Sequence, residues 1–196
     1  MSSQISSHLP KVFIAFLVVT GLLNCGYVQI TEEGQQTRVV TEENKVNCKY
    51  LSNVVSGAGD YYSSYDLNFE SGFNAAMNTV ASAGGDAYSI LRSNETGTIY
   101  EMEVWHCGWK DSQPRELLPQ SSDPNEISEE EREKCEYVKT VADGSNWGVT
   151  KSNNFQGARN AVLKLVKESG ADSYFVVHKL ENKYGVGLIV EAWRCR

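Results

Sequence analysis

Five cysteines carry the most distinctive chemistry in the 196-residue chain, and their odd number sets at least one apart from any pairing. The other four lie at the ends of two stretches of about 60 residues each. They could form disulfides, remain free thiols or bind a metal. Because the sequence has no Cys-x-x-Cys motif and only three histidines, we favour disulfides over a zinc site. The four positions are Cys48, Cys107, Cys135 and Cys195.

Two glutamates are the candidates for acid–base chemistry. Glu103 precedes Trp105, and Glu191 precedes Trp193, in the same Glu-x-Trp-x-Cys pattern. Hydrolysis through a nucleophile would also need a histidine base and an orienting carboxylate. His106 has no counterpart in the second pattern, where an arginine stands instead. We therefore expect no catalytic residue and interpret both glutamates as a repeated edge or surface position.

Composition and charge narrow the functional classes further. Hydrophobic residues make up 41% of the chain, enough for a folded core. The formal net charge is −7 and no basic patch stands out, which argues against nucleic-acid binding. Asp86 and Asp172 stand outside any aspartate-rich loop, so they are interpreted as turn caps rather than calcium ligands. We expect neither a metal nor a cofactor.

An internal repeat places the cysteines and glutamates in equivalent positions, at 48–107 and 135–195. Both copies open with Cys-x-Tyr and close with Glu-x-Trp-x-Cys. Between these ends, Asn-Phe, Asn-Ala and Gly-x-Asp-x-Tyr motifs follow in the same order. One supersecondary unit therefore occurs twice.

Hydrophobic periodicity predicts a strand, a helix and two further strands in each copy. The first strand starts at the first cysteine of the copy. Asparagines are the expected N-caps and glycines the expected C-caps of the helices. The helices are predicted between Asn68 and Gly84 and between Asn154 and Gly170, and the later strands at Asp86–Arg92, Ile99–Cys107, Asp172–Leu180 and Val186–Cys195.

The βαββ order predicts how the cysteines pair. A crossover makes the first two strands parallel, and a hairpin makes the third antiparallel to both. If the first and third strands are neighbours, the start of the first lies beside the end of the third, which predicts Cys48–Cys107 and Cys135–Cys195. A pairing exchanged between the copies remains an alternative. The predicted fold is α+β, with two tandem βαββ domains that each have a three-stranded sheet, one packed helix and one disulfide.

Alternation along each third strand predicts two different sheet faces. In the first copy, Tyr100, Met102 and Val104 are expected to face the helix. The opposite face carries Glu103 and Trp105, and in the second copy Glu191 and Trp193. These four residues are expected either to form a binding surface or to pack the copies together, and we favour packing.

The N-terminus has the pattern of a secretory signal peptide. Twelve residues, Val12–Leu23, carry no charge and follow the single basic side chain of Lys11. As a helix they span roughly 18 Å, too short for about 30 Å of hydrocarbon. Cys25 follows this apolar core and is the expected site of acylation, which accounts for the odd cysteine. The alternatives are a plain signal peptide cut elsewhere or an anchor that is retained.

The remaining stretches are polar. The predicted organisation is a lipoprotein signal peptide at 1–24, a lipidated tether at 25–47, the first repeat at 48–107, an acidic, proline-containing linker at 108–134 and the second repeat at 135–196.

The apolar core ending in Leu22-Leu23-Asn24-Cys25 resembles a bacterial lipobox, although Asn24 departs from the usual small residue. The two Cys-x-Tyr openings and closing cysteines resemble an uncharacterised bacterial lipoprotein family with a CxFLGxV start. More distantly, they resemble the outer-membrane stress-sensor lipoprotein of the Rcs phosphorelay, which has one such domain. The resemblance implies a lipid-anchored envelope protein on a small disulfide-stapled α+β domain.

Together these features lead us to expect a non-enzymatic protein held at the cell envelope, at the outer membrane, by N-terminal acyl chains such as palmitate. The expected activity is binding or sensing of an envelope protein partner. One alternative is a structural spacer without a discrete ligand, and another is an enzyme acting on envelope polymers.

Overall fold

A computed structural model describes residues 27–59, 64–109, 123–145 and 151–195. The architecture is α+β, with two four-stranded sheets and two long helices. The first repeat and the segment before it contain α1 (Glu32–Gln35), β1 (Arg38–Val39), a 3-10 turn (Asn44–Asn47), β2 (Lys49–Gly57), α2 (Tyr65–Ser82), β3 (Ala87–Ser93) and β4 (Ile99–His106).

The second half of the chain repeats this order almost element for element. It contains β5 (Asn125–Glu126), α3 (Glu129–Arg132), β6 (Glu136–Ser145), α4 (Lys151–Glu168), β7 (Ser173–Glu181) and β8 (Val186–Arg194).

Each sheet has a fourth strand that the sequence did not predict. The strand orders are β1-β3-β4-β2 and β5-β7-β8-β6, so the prediction of three-stranded sheets is wrong. The extra strands are two residues long, too short for an alternating pattern. They are held by backbone hydrogen bonds at equivalent places: Arg38 N donates to Asp86 O, and Asn125 N donates to Asp172 O.

The strand neighbours within each repeat follow the predicted topology. β2 pairs antiparallel with β4, and β6 pairs antiparallel with β8. This brings the predicted cysteines together, and both disulfides, Cys48–Cys107 and Cys135–Cys195, are present. The predicted pairing is therefore confirmed.

The helices begin earlier than predicted. Ser64 precedes the first turn of α2, so Asn68 lies inside that helix, and Asn154 likewise lies inside α4. Both asparagines are therefore wrong as N-caps. Gly84 and Gly170 follow the two helices with φ of 79° and 75°, a left-handed conformation that glycine adopts without strain and that ends a helix.

The layers alternate sheet, helix, sheet, helix. Apolar residues of α2 pack in one core with Tyr100 and Met102 of the first sheet and with Ala142 and Ile189 of the second. α4 covers the other side of the second sheet, where Val162 packs with Leu188 and Val190 in a second core. Because α2 lies between two sheets while α4 covers only one, Phe69 is fully buried and its counterpart Phe155 is 36% exposed.

The segment expected to be a tether is part of the folded body from residue 27 onward. Val28 N donates to Ser71 Oγ, and Asn74 Nδ2 donates to Val28 O. Asn78 Nδ2 in turn donates to Gln29 O. These asparagines lie along α2, so the polar residues of the segment dock on the helix instead of remaining solvated. Cys25 and the rest of 1–26 lie outside the described residues.

Candidate binding face

Two matched clusters of side chains lie at the same place on the two sheets. In both sheets a tyrosine opposes a tryptophan across a pair of strands, and the glutamate two positions before that tryptophan opposes a polar residue. We call them the open cluster, comprising Lys45, Tyr50, Asn53, Glu103 and Trp105, and the covered cluster, comprising Arg132, Tyr137, Thr140, Glu191 and Trp193.

The internal geometry of the two clusters is nearly identical. The rings of Tyr50 and Trp105 meet edge to face at 5.3 Å and 73°, and those of Tyr137 and Trp193 at 5.3 Å and 75°. Each tyrosine hydroxyl is bonded to the polar residue three positions later, Asn53 at 3.0 Å and Thr140 at 2.8 Å.

Each glutamate also pairs with a basic residue from the turn before the first cysteine. Lys45 Nζ lies 2.9 Å from Glu103, and Arg132 Nη1 lies 2.8 Å from Glu191. Neither basic residue was expected from the sequence to belong to a site. The signal was nevertheless present, since each stands three residues before the opening cysteine of its repeat.

The covered cluster binds the extended segment around β1. Tyr137 Oη donates to Thr37 O at 2.9 Å, and Thr140 Oγ1 donates to the same carbonyl oxygen at 3.1 Å. Val39 N donates to Glu191 Oε1 at 2.9 Å. Between these two residues, the guanidinium of Arg38 lies 4.2 Å from the centre of the Tyr137 ring. The second sheet therefore binds three successive residues of the segment that precedes the first repeat and contributes β1 to the first sheet.

The pKa values of Glu191 and Glu103 are shifted in opposite directions. Glu191 is 1% exposed, and this burial raises the pKa of its carboxyl group, while Arg132 opposes the shift. For Glu103 the hydrogen bonds from Lys45 and Ser89 lower the pKa below its ordinary value. Glu191 is thus a buried structural charge rather than the edge or surface residue predicted.

A cavity of about 240 Å³ lies beside the covered cluster. It is smaller than the usual 300–1,000 Å³ of small-molecule sites. Buried ion-paired side chains, including Arg132 and Glu191, form part of its wall. We assign it to the packing of the two repeats.

In the part of the chain that the structure describes, the matching side of the first sheet is exposed, and we call it the open face. Besides the open cluster it carries Val55 opposite Glu101, and Ile99 opposite Gly57. Tyr50, Val55 and Ile99 are 47%, 69% and 44% exposed, so three large apolar side chains of this face are accessible to solvent. Arg92 pairs with Glu101, so the face holds charges of both signs.

The expectation that these two faces pack against each other is therefore wrong. The face with Glu191 and Trp193 packs on α2 and the β1 segment, whereas the face with Glu103 and Trp105 is exposed among the described residues. Glycine explains the difference, because a Cβ on Gly187 would lie 2.3 Å from Phe69 Cε2. The first sheet has Ile99 at the equivalent position, which fills the space that admits Phe69 on the second sheet.

Asp86, Asp172 and His106 were also considered as functional residues, and the structure places them at turns and strand ends. The Asp86 carboxylate accepts hydrogen bonds from the backbone N–H groups of Cys107 and Gly108, and Asp172 accepts one from Cys195. They cap turns, as predicted. His106 lies 3.4 Å from Asp86 at the exposed end of β4. Within the described ranges no cluster of His, Cys, Asp or Glu is arranged to hold a metal ion.

No protein-family model, curated protein or solved structure matches the chain. In the part of the chain that the structure describes, no helix has the length and apolar character needed to cross a membrane.

Proposed function

We propose that the chain is a lipid-anchored, non-enzymatic protein of the cell envelope that binds or senses a protein partner through the open face. The observation that carries this proposal is the duplicated cluster. One copy already serves as a protein-binding surface inside the molecule, and the other has the same geometry but is accessible.

The position of the anchor supports a role at a surface. If residues 1–24 are removed and Cys25 is acylated, the acylated residue stands two positions before Tyr27, whose hydroxyl accepts a hydrogen bond from Asn74 Nδ2 of α2. Each buried methylene of an acyl chain contributes about 0.8 kcal/mol, so two or three chains hold a protein stably on a bilayer. We place it at the outer membrane, in keeping with its resemblance to envelope lipoproteins.

The anchor is tested by Cys25→Ala. We expect this variant to leave the membrane fraction, because the acylation site is lost, while the wild type remains bound. Fractionation followed by intact-mass measurement distinguishes the outcomes. An uncut variant that stays in the membrane fraction would mean that the N-terminal segment is a retained anchor.

Partner binding is tested by placing a photoreactive amino acid at Val55 in cells. The matched control carries it at Tyr184, which is 45% exposed but lies on the hairpin of the second repeat. We expect a discrete crosslinked protein from position 55, lost when Trp105→Ala is added, and none from position 184. Equal or absent crosslinking from both positions would favour a structural spacer.

A further inference from the structure

We propose that the open cluster recognises an extended peptide segment of the form x-Arg-x, presented by a different protein. The inference rests on the proposed function and names the chemistry of its partner. It comes from a binding mode that the molecule already displays once, at the covered cluster.

That binding mode has three parts. The carbonyl oxygen of Thr37 accepts from the tyrosine and its polar neighbour, the guanidinium of Arg38 stacks on the tyrosine ring, and the N–H of Val39 donates to the glutamate. The contacts of the Thr37 carbonyl and the Val39 N–H involve only backbone groups of the bound segment, so they select an extended conformation. The contact of Arg38 selects a planar cation, since a guanidinium stacks well on an aromatic face.

The open cluster offers the same three groups. Asn53 stands where Thr140 stands, and its amide nitrogen can donate to a carbonyl oxygen while its oxygen accepts from Tyr50. The Tyr50 ring is half exposed. Its edge-to-face contact with Trp105 matches that of Tyr137, whose ring carries Arg38.

Glu103 provides the third group at the atom where it is needed. Lys45, Ser89 and Trp105 all reach its Oε2, at 2.9, 2.7 and 3.3 Å. Among the described residues no hydrogen bond reaches its Oε1, the atom that in Glu191 accepts from Val39. The carboxylate is thus fixed in place by three donors with one acceptor oxygen available.

A second copy of this chain does not present the required segment. Thr37 and Val40, which flank Arg38 and Val39, are 1% and 4% exposed inside the molecule, so they are unavailable to another copy. In the second repeat the equivalent strand β5 has Asn125 in place of Arg38 and Glu126 in place of Val39. Docking β5 would therefore lose the guanidinium and bring a second carboxylate toward Glu103. We assign the partner to a different protein.

The probe is a capped synthetic peptide, Gln-Thr-Arg-Val-Val, which reproduces residues 36–40, titrated to about 5 mM into the isotope-labelled full chain. We expect saturable NMR shifts at Tyr50, Asn53 and Glu103. Replacing arginine by alanine, or methylating the nitrogen of the valine that follows it, should weaken binding about 10-fold or more, since each removes a cation or charge-assisted contact.

Protein variants supply the matched control. Tyr50→Ala should abolish the shifts, whereas Tyr184→Ala, an equally exposed tyrosine outside the face, should leave them unchanged. Unchanged dispersion of the other resonances shows that Tyr50→Ala remains folded. Absence of saturable shifts, or equal binding of the alanine peptide, would overturn the inference. So would concentration-dependent dimers in sedimentation that Val55→Glu dissolves, because a second copy would then cover the face.

This test separates the inference from the proposed function. A partner crosslinked at Val55 together with no peptide binding would overturn recognition of an x-Arg-x segment but would still support the proposed function. Peptide binding without any crosslinked partner in cells would support the mode and count against the function.

Discussion

Two glutamates at equivalent positions have different roles because their surroundings differ. Glu103 keeps a lowered pKa beside Lys45, while burial raises the pKa of Glu191 against the influence of Arg132. The sequence predicted that both residues lie on the side of the strand away from the helix. It could not predict which would be buried, because that depends on Phe69 entering beside Gly187 from the other repeat.

The ion pair in the covered cluster should be far more important for stability than its counterpart. Arg132→Met leaves Glu191 buried without its cation, so we expect the free energy of unfolding to fall by about 3–5 kcal/mol. The matched change Lys45→Met should cost about 1 kcal/mol or less, since Glu103 is partly solvated and keeps two other donors. Denaturant titrations at pH 7.5 measure both, and equal losses would contradict this assignment.

Asp143 should make stability depend on pH. Burial raises the pKa of this carboxyl to about 6, and Glu70 and Asp66 act in the same direction. Because the ordinary value is about 3.9, the folded state holds the proton more tightly, and the free energy of unfolding falls as pH rises from about 4 to about 6.

Asp143→Asn removes the cost of burying a charged carboxylate and keeps a side-chain oxygen that can accept a hydrogen bond from Gly144 N. We expect it to stabilise the protein by roughly 1–2 kcal/mol at pH 7.5, allowing for solvent screening, and by close to zero at pH 4. Denaturant titrations across this range give the difference. A stabilisation that is the same at both pH values would show that burial does not raise the pKa of Asp143.

At the scale of elements, local pattern predicted most of the fold. The four long strands after the helices lie within one residue of their predicted limits, because alternation and glycine turns are properties of the local sequence. The two short strands β1 and β5 escaped prediction because their register is set by hydrogen bonds to distant residues. The interaction of Asn74 and Asn78 with residues 28 and 29 is also non-local, so the polar composition of the segment before the first repeat wrongly predicts a tether.

The disulfides should be the main staples of each sheet. They join residues 59 and 60 positions apart, and closing a loop of that length contributes roughly 4 kcal/mol in the chain-entropy model. We expect the paired changes Cys48→Ala with Cys107→Ala, and Cys135→Ala with Cys195→Ala, each to lower the unfolding free energy by a few kcal/mol. Peptide mapping without reduction checks the linkage, and a peptide joining Cys48 to Cys135 would contradict it.

At the scale of the whole molecule, the repeats are stacked head to tail. The second sheet rests on α2 of the first repeat and on the β1 segment that precedes this repeat. The covered cluster is therefore buried in the contact between the two halves of the chain. Stacking of this kind always leaves one equivalent surface unused at the end of the array, and here it is the open face. The duplication was evident in the sequence, but the direction of stacking was not, since it follows from the shapes at Gly187 and Ile99.

The central claim is that the covered cluster stabilises the fold and the open cluster binds a partner. The most direct test compares equilibrium unfolding of Trp193→Ala and Trp105→Ala, with crosslinking from Val55 measured on the same two variants. We predict that Trp193→Ala, at a site 8% exposed, costs about 3–5 kcal/mol, while Trp105→Ala costs less than about 2 kcal/mol and abolishes partner capture. Equal losses of stability, or a Trp105→Ala protein that still captures its partner, would contradict the account.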